Sequence, residues 1–319
     1  MINSISINGF KNLENIDNLP LNKITLIGGK NNTGKTTLLE AIFLYLDFDY
    51  SGFVEKMLAW RDMKRVFENK ELWKKFFYNS DFSNIINILI NSDNRGKEQV
   101  NISFIKDYET TGPIQVTENG ITSFKKNFQA LKINHSCNDI DDYQAYILDQ
   151  GSTYNFLKEL DLLQDRPSGY YVSERMRFIE KNDEYLGVLD KADEQEKILP
   201  LLRIFEPNLV RLQIIPEANT NLIYADFGNN KKIPVNMLGD GFCRCLSISL
   251  ILATYNAEIF LIDEIGAGIH YSVQNNFWDF IVKASSMYNC QIIATTHSYD
   301  TIKAFNNTKK IMTFHVFLI

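Results

Sequence analysis

At 319 residues, with 45% hydrophobic and 23% charged side chains, the chain can bury a large core and hold two domains, or one domain with a long insertion. No apolar run is long enough to span a bilayer, and Met1–Ile7 alternates like a strand without a basic flank or cleavage site, so membrane and secreted classes are set aside and a cytoplasmic location is expected. The formal charge of −6 gives no bulk sign of a nucleic-acid binder, although a local basic patch stays open.

Ser4–Ile7 and Ile24–Ile27 read as strands, and the second runs into Gly29-Lys-Asn-Asn-Thr-Gly-Lys-Thr36. This is G-x-x-x-x-G-K-[ST], set between a strand and the helical run Leu38–Leu46, the context a phosphate-binding loop requires. Its glycines let the backbone curl so that N–H groups of Gly29, Asn31, Asn32, Thr33 and Gly34 face phosphate oxygens. Lys35 supplies charge to the β/γ-phosphates and Thr36 a hydroxyl to Mg²⁺, and Thr37 completes the binding set at the positive end of the helix. A glycine turn that binds nothing is the plain alternative, and the flanking strand and helix argue against it.

Asp47–Gly52 reads as a helix exit, so Asp47-Phe-Asp49 is a solvated helix end rather than a metal pair. Val54–Tyr78 is helical and basic, with Trp60, Phe67 and Trp73 interleaved; it is either a nucleic-acid surface or a solvated, partly packed face. Ile85–Ile90, Val100–Ile105 and Ile114–Thr117 read as an antiparallel meander, with turns at Asn94-Arg-Gly96 and Glu118-Asn-Gly120. Residues 134–168 are polar and acidic and show no clear period. Tyr170–Val172 reads as a strand, 192–205 as a helix stopped by Pro207, and Leu209–Ile215 and Leu222–Phe227 as strands followed by a turn at Asn229-Asn230. From Leu246 to Ile319 helices and strands alternate as in a parallel α/β sheet. The four cysteines, Cys137, Cys243, Cys245 and Cys290, lack the partners of a zinc site and read as reduced, buried thiols.

Ile259-Phe-Leu-Ile262 is a short apolar strand ending in Asp263-Glu264. A carboxylate at that position holds Mg²⁺, and its neighbour polarises the attacking water; the alternative is a pair of acids capping a turn. Gln291–Thr296 is a second buried strand, ending in His297, where ligands bind in open α/β sheets. Leu238-Gly-Asp-Gly-Phe242 precedes a helix; Gly239, Asp240 and Gly241 present backbone N–H groups to an anion, or form an ordinary turn with Asp240 as N-cap.

The order of these motifs resembles the ABC ATPases, and the details resemble the branch of RecF, the SMC-type repair ATPases and the OLD family. The phosphate loop and first helix, Gly28–Ile42, and the opening Ile5-Ser-Ile-Asn-Gly-Phe-Lys-Asn-Leu13 look like that branch. Leu238–Gly241, Asp263–Tyr271 and Ala294–Tyr299 resemble the AAA-family ATPases of bacterial anti-phage and OLD-like systems. The resemblance covers roughly residues 1–45 and 235–305 with specific motifs.

It implies an α/β fold: a P-loop NTPase with an ABC-ATPase-type head, a mixed sheet, an antiparallel β subdomain and a helical insertion. The whole chain, 1–319, is then one ATPase domain, with 1–50 and 235–319 as nucleotide-binding core and 51–234 as insertion. ATP and Mg²⁺ are the implied cofactors, with Lys35, Glu264 and His297 catalytic, Thr36 and Asp263 on the metal, and Gly239–Gly241 reaching the partner subunit's ATP. The resemblance implies a homodimer or higher homo-oligomer that closes on ATP. OLD nucleases add a Toprim domain with metal-binding acids; none is expected here, so a separate effector, such as a Toprim-like nuclease, is implied. A RecF-type ATPase that binds DNA directly is the alternative, and a transporter subunit is disfavoured by the β-rich insertion. The chain departs from the family at its signature, usually a serine followed by two glycines and here Gly239-Asp240-Gly241. A carboxylate beside a γ-phosphate is unfavourable, so Asp240 is expected to point away or cap the helix. No Q-loop glutamine stands out, and Gln150 is only a guess. Arg61, Arg175 and Arg244 share the chemistry of an arginine finger without one being assigned.

Overall fold

The computed structural model describes residues 1–46, 71–109, 127–149, 154–161, 167–173, 181–217, 220–308 and 315–318. The chain divides into two compact units. One comprises Met1–Leu21 and Asn32–Pro167, the other Asn22–Asn31 and Ser168–Ile319.

The first unit is built on a seven-stranded antiparallel sheet of order β2-β1-β4-β5-β6-β7-β8. Its strands are β1 (Ile2–Phe10), β2 (Leu13–Pro20), β4 (Ile86–Ser92), β5 (Gly96–Glu109), β6 (Asn127–Cys137), β7 (Ile140–Asp149) and β8 (Tyr154–Asp161). The meander read from sequence is present at β4 and β5 and continues through β6 to β8, across the stretch that showed no period. Strand β2 also had no strand signal, because it is a polar edge strand of which only Leu13 is buried. One sheet face is apolar, with Ile5, Ile7, Ile86, Ile88, Val100 and Ile102 buried. The other carries a row of carboxamides: Asn15, Asn8, Asn87, Asn101, Asn134 and Gln144 lie opposite one another across six strands.

Helix α1 (Lys35–Leu46) belongs to this unit, and every residue from Thr37 to Leu46 is buried. A helix buried all round must find partners for its polar groups. Three side chains do so within the unit: Thr37 donates to Asn12, Glu40 accepts from Lys11, and Tyr45 donates to Glu98. Of the helix expected over Val54–Tyr78, residues 54–70 lie outside the described residues; α2 (Glu71–Lys74) is its described part. The strand Ile114–Thr117 and turn Glu118–Gly120 also lie outside them.

The second unit holds a five-stranded parallel sheet of order β15-β3-β14-β13-β9. Its strands are β3 (Ile24–Gly28), β9 (Gly169–Val172), β13 (Ile259–Ile262), β14 (Gln291–Thr296) and β15 (His315–Leu318). The central three are buried along their whole length, as the apolar runs required. A small antiparallel sheet joins β10 (Arg211–Glu217), β11 (Thr220–Asp226) and β12 (Lys232–Pro234). The helices are α3 (Asn182–Lys191), α4 (Leu199–Leu202), α5 (Asp240–Tyr255), α6 (Gln274–Met287) and α7 (Tyr299–Thr308). They pack with the parallel sheet around a core that includes Leu246, Phe260, Phe277, Trp278 and Ile292.

The helix expected over 192–205 is replaced by shorter pieces. Asn182–Lys191 is helical, with Asp183 and Glu184 in its first turn and Lys191 in its last, which suits the helix dipole. Asp193 then takes a left-handed φ of 56° and breaks the run, after which Gln195–Lys197 forms a short 3-10 helix and Leu199–Leu202 a short α-helix. Residues 168–234, grouped in the sequence with the insertion, belong to the second unit because β9 pairs with β13.

Candidate functional site

In the first unit, the second half of the phosphate loop leads into α1. Asn32 and Gly34 take positive φ values of 63° and 101°, so the backbone turns sharply before Lys35 opens the helix. A Cβ on Gly34 would lie 2.5 Å from Leu13 Cδ2, so glycine is required for space as well as for conformation. The turn between β1 and β2 braces the loop. Asn12 Oδ1 accepts from Thr37 Oγ1 at 2.8 Å, and Asn12 Nδ2 lies 3.5 Å from the Asn32 carbonyl. Thr37, placed by the sequence in the nucleotide-binding set, thus spends its hydroxyl on Asn12. Lys35 is buried and Thr36 half-buried, while Asn31 and Asn32 are exposed. In the sequence, a single asparagine after a phenylalanine and lysine carries no signal of this bracing contact.

In the second unit, the carboxyl ends of β3, β14 and β13 lie side by side. Gly28 is paired with Thr296, and Gly29 N–H donates to the Thr296 carbonyl at 3.3 Å. Asp263 and Glu264 follow β13 directly, and His297 follows β14. Glu264 adopts φ 48°, a left-handed conformation that is uncommon away from glycine and concentrated at functional sites. Its Oε2 accepts the His297 backbone N–H at 3.1 Å and lies 2.8 Å from His297 Nδ1. The Glu264 side chain is 12% exposed and the His297 ring 52%, so the pair stands at the sheet edge with the imidazole outermost. Glu264 therefore orients the ring through Nδ1.

Asp263 is buried. Its Oδ1 accepts from Thr295 Oγ1 at 2.6 Å, and Tyr171 Oη lies 3.4 Å from Oδ2. Arg244, on α5, is also buried, and its Nη2 donates to the carbonyls of Glu264 at 3.0 Å and Asp263 at 3.4 Å. As an arginine-finger candidate Arg244 is corrected: its guanidinium is committed to its own chain. Arg61, Arg175 and Gln150 lie outside the described residues. Gly239, Asp240 and Gly241 open α5. Gly239 is the N-cap, with φ 96°, and Asp240 is the first helical residue, exposed and favourably placed toward the helix dipole. The alternative with Asp240 as N-cap is thereby corrected: glycine supplies the strained backbone of the cap.

The donor set fits magnesium. Mg²⁺ takes hard oxygens, commonly one or two protein groups with phosphates and water, and the Asp263 carboxylate and Thr36 hydroxyl are of that kind. Among the described residues no group of three or more His, Cys, Asp or Glu is arranged to hold a metal by itself. Burial raises the Cys243 and Cys290 thiols to about 11, which makes them poor ligands and nucleophiles at neutral pH.

A parallel sheet whose carboxyl edge carries the first glycine of a phosphate loop, an Asp-Glu pair and a histidine is the nucleotide end of a P-loop ATPase. The family model described as "AAA domain, putative AbiEii toxin, Type IV TA system" matches residues 24–302, and the chain belongs to that family. A curated relative from Helicobacter pylori, "ATP/GTP phosphatase", is 22% identical over 324 residues, covering 95% of this chain and 87% of that protein. Among solved structures, an SMC head bound to the C-winged helix domain of ScpA is similar with a TM-score of 0.50 and 15% identity, over 95% of this chain and 92% of that one. The SMC head domain from Thermotoga maritima gives 0.47 and 13% identity, over 99% and 94%. The first of these likenesses defines the fold as SMC-head-like, with an α/β core, helices and an antiparallel sheet. No helix among the described residues is long and apolar enough to cross a membrane.

Proposed function

We propose that this chain binds ATP with Mg²⁺, hydrolyses it slowly, and uses closure of a homodimer or higher homo-oligomer around the nucleotide to control a separate effector. The observation that carries the ATPase reading is the left-handed Glu264, whose carboxylate meets His297 at the end of the parallel sheet. Lys35 neutralises the β/γ-phosphates, Thr36 and Asp263 hold Mg²⁺, Glu264 polarises water and His297 contacts the γ-phosphate. The loop amides from Gly29 to Gly34 bind the remaining phosphate oxygens. Gly239, Asp240 and Gly241, at the exposed start of α5, reach the nucleotide of the other subunit.

The effector is a Toprim-like nuclease in bacterial anti-phage defence. Two features support that reading: the resemblance of Asp263–Tyr271 and Ala294–Tyr299 to OLD-like ATPases, and a family description that places its members in toxin–antitoxin systems. The test is a pull-down from native-host lysate with ATP, using tagged Glu264→Gln protein to trap the closed state. A stoichiometric protein with nuclease features is expected, and Lys35→Ala should abolish its capture. Capture of nucleic acid alone, lost in Lys35→Ala, would replace this reading with a DNA-repair ATPase. DNA or RNA cleavage by the purified chain would also overturn it.

A further inference from the structure

Thr295 is the penultimate residue of β14, fully buried and two positions before His297, in a run that resembles AAA-family ATPases but where the sequence assigns it no role. Its hydroxyl makes two bonds whose directions are fixed by chemistry. The Glu264 backbone amide can only donate, so Thr295 Oγ1 accepts from it at 2.9 Å. An ionised carboxylate can only accept, so the same oxygen donates its one proton to Asp263 Oδ1 at 2.6 Å. The Thr295 carbonyl also accepts the Ile265 N–H at 2.9 Å. One residue thus holds three successive positions of the turn after β13: the Asp263 side chain, the Glu264 amide and the Ile265 amide.

The bond to the Glu264 amide matters because Glu264 is left-handed. The Glu264 amide lies past the last ladder pair of β13, Ile262 with Ala294, and a buried N–H without an acceptor costs about 1–3 kcal/mol. Thr295 provides that acceptor, while Arg244 fixes the Asp263 and Glu264 carbonyls on the opposite side of the same peptide units. Serine would keep the hydroxyl and lose a methyl group. Valine would keep the shape and lose both bonds.

We propose that Thr295 is a positioning residue that sets the metal-binding carboxylate of Asp263 and the left-handed backbone of Glu264 with a single hydroxyl, so that cation binding and water activation are aligned together. The inference rests on the ATPase reading above. Hydrogen-bond partners of metal ligands contribute about 10–100-fold to metal affinity or activity.

The test compares wild type, Thr295→Val and Thr295→Ser. Mn²⁺ affinity of the protein with bound ATPγS is read by electron paramagnetic resonance. Metal-free ATP affinity, kcat, KM and melting temperature are measured alongside. The expected result is a Mn²⁺ affinity weakened at least tenfold in Thr295→Val, a kcat lowered at least tenfold, and metal-free ATP affinity within twofold of wild type. Thr295→Ser should stay within threefold on every measure. Retention of Mn²⁺ affinity and kcat in Thr295→Val would overturn the proposal while leaving the ATPase reading intact. Equal defects in the serine and valine variants would overturn it too, because the methyl group would then be what matters. If Thr295→Val melts below the assay temperature, Thr295→Ala takes its place under the same criteria. A wild type that binds neither ATP nor Mn²⁺ would overturn both the proposal and the reading beneath it.

Discussion

Glu264 joins a strained backbone to a committed side chain: φ 48° and an Oε2 shared between the amide and ring of His297. In Glu264→Gln the amide oxygen still accepts the His297 N–H, so the melting temperature should stay near wild type and ATP affinity within about threefold, while kcat falls about 100-fold or more with the loss of the base. Equilibrium binding and single-turnover hydrolysis check both halves. Gly34 offers the opposite case. Alanine there would set a Cβ 2.5 Å from Leu13 at φ 101°, so Gly34→Ala should lose about 1–3 kcal/mol of stability in urea unfolding and lose nucleotide binding with it. The chemistry of both residues was legible because a motif is a local string. Asn12 and Thr295 were not, because each is a common polar residue whose partners lie far away in sequence.

Among the elements, β6 and β7 show why alternation failed as a signal. Their inward positions include His135 and Tyr143, and β5 contributes Glu98, all buried. Polar residues on the core face and carboxamides on the other leave little contrast to read. Several of these polar groups gather around Glu98: Tyr45 and Arg95 donate to it, and His135 Nε2 lies 3.4 Å from it. Burial by itself would raise the Glu98 carboxyl; the bonds from His135 and Tyr45 and the Arg95 charge outweigh it and hold the group at about 2 against an ordinary 4.5. A depressed carboxyl stabilises the fold fully above its unfolded value and loses that contribution as pH falls through the folded one. Glu98→Gln should therefore cost about 3 kcal/mol at neutral pH, and the difference from wild type should shrink between pH 4.5 and 2. Urea midpoints across that range measure it. Because Tyr45 closes the last turn of α1, the same variant should also weaken ATP binding at the other end of that helix, by about threefold to tenfold.

For the whole molecule, the division between the units falls inside the phosphate loop, between Asn31 and Asn32. The loop is thus covalently shared, its first glycine bonded to β14 and its lysine opening α1. The proposed closure makes a prediction at this scale. A Cβ at Gly241 would meet only Ile269 Cδ1, at an ordinary 3.6 Å, and a carboxylate in the first turn of α5 suits the helix dipole. Gly241→Glu should leave melting temperature and ATP affinity near wild type but abolish ATP-dependent dimers of the Glu264→Gln background. Light scattering after size-exclusion chromatography would show this, and persistence of the dimer would remove the α5 glycines from the trans contact.

By itself the sequence determined the phosphate loop, the Asp263-Glu264 pair after a buried strand, the histidine after the next, and the parallel α/β alternation that contains them. These are short-range patterns, since a loop that wraps phosphate or a strand buried on both faces writes its requirement into a few consecutive residues. Tertiary structure alone decided that Thr295 and Arg244 frame the acid pair, that Asn12 braces the loop, that β6 to β8 extend the antiparallel sheet, and that residues 168–234 pack with the parallel sheet. All but the β6–β8 hairpins depend on hydrogen bonds or strand pairings between residues far apart in sequence, from Arg244 with Glu264 to Gly169 with Ile259, and no local spacing encodes which buried polar group will meet which.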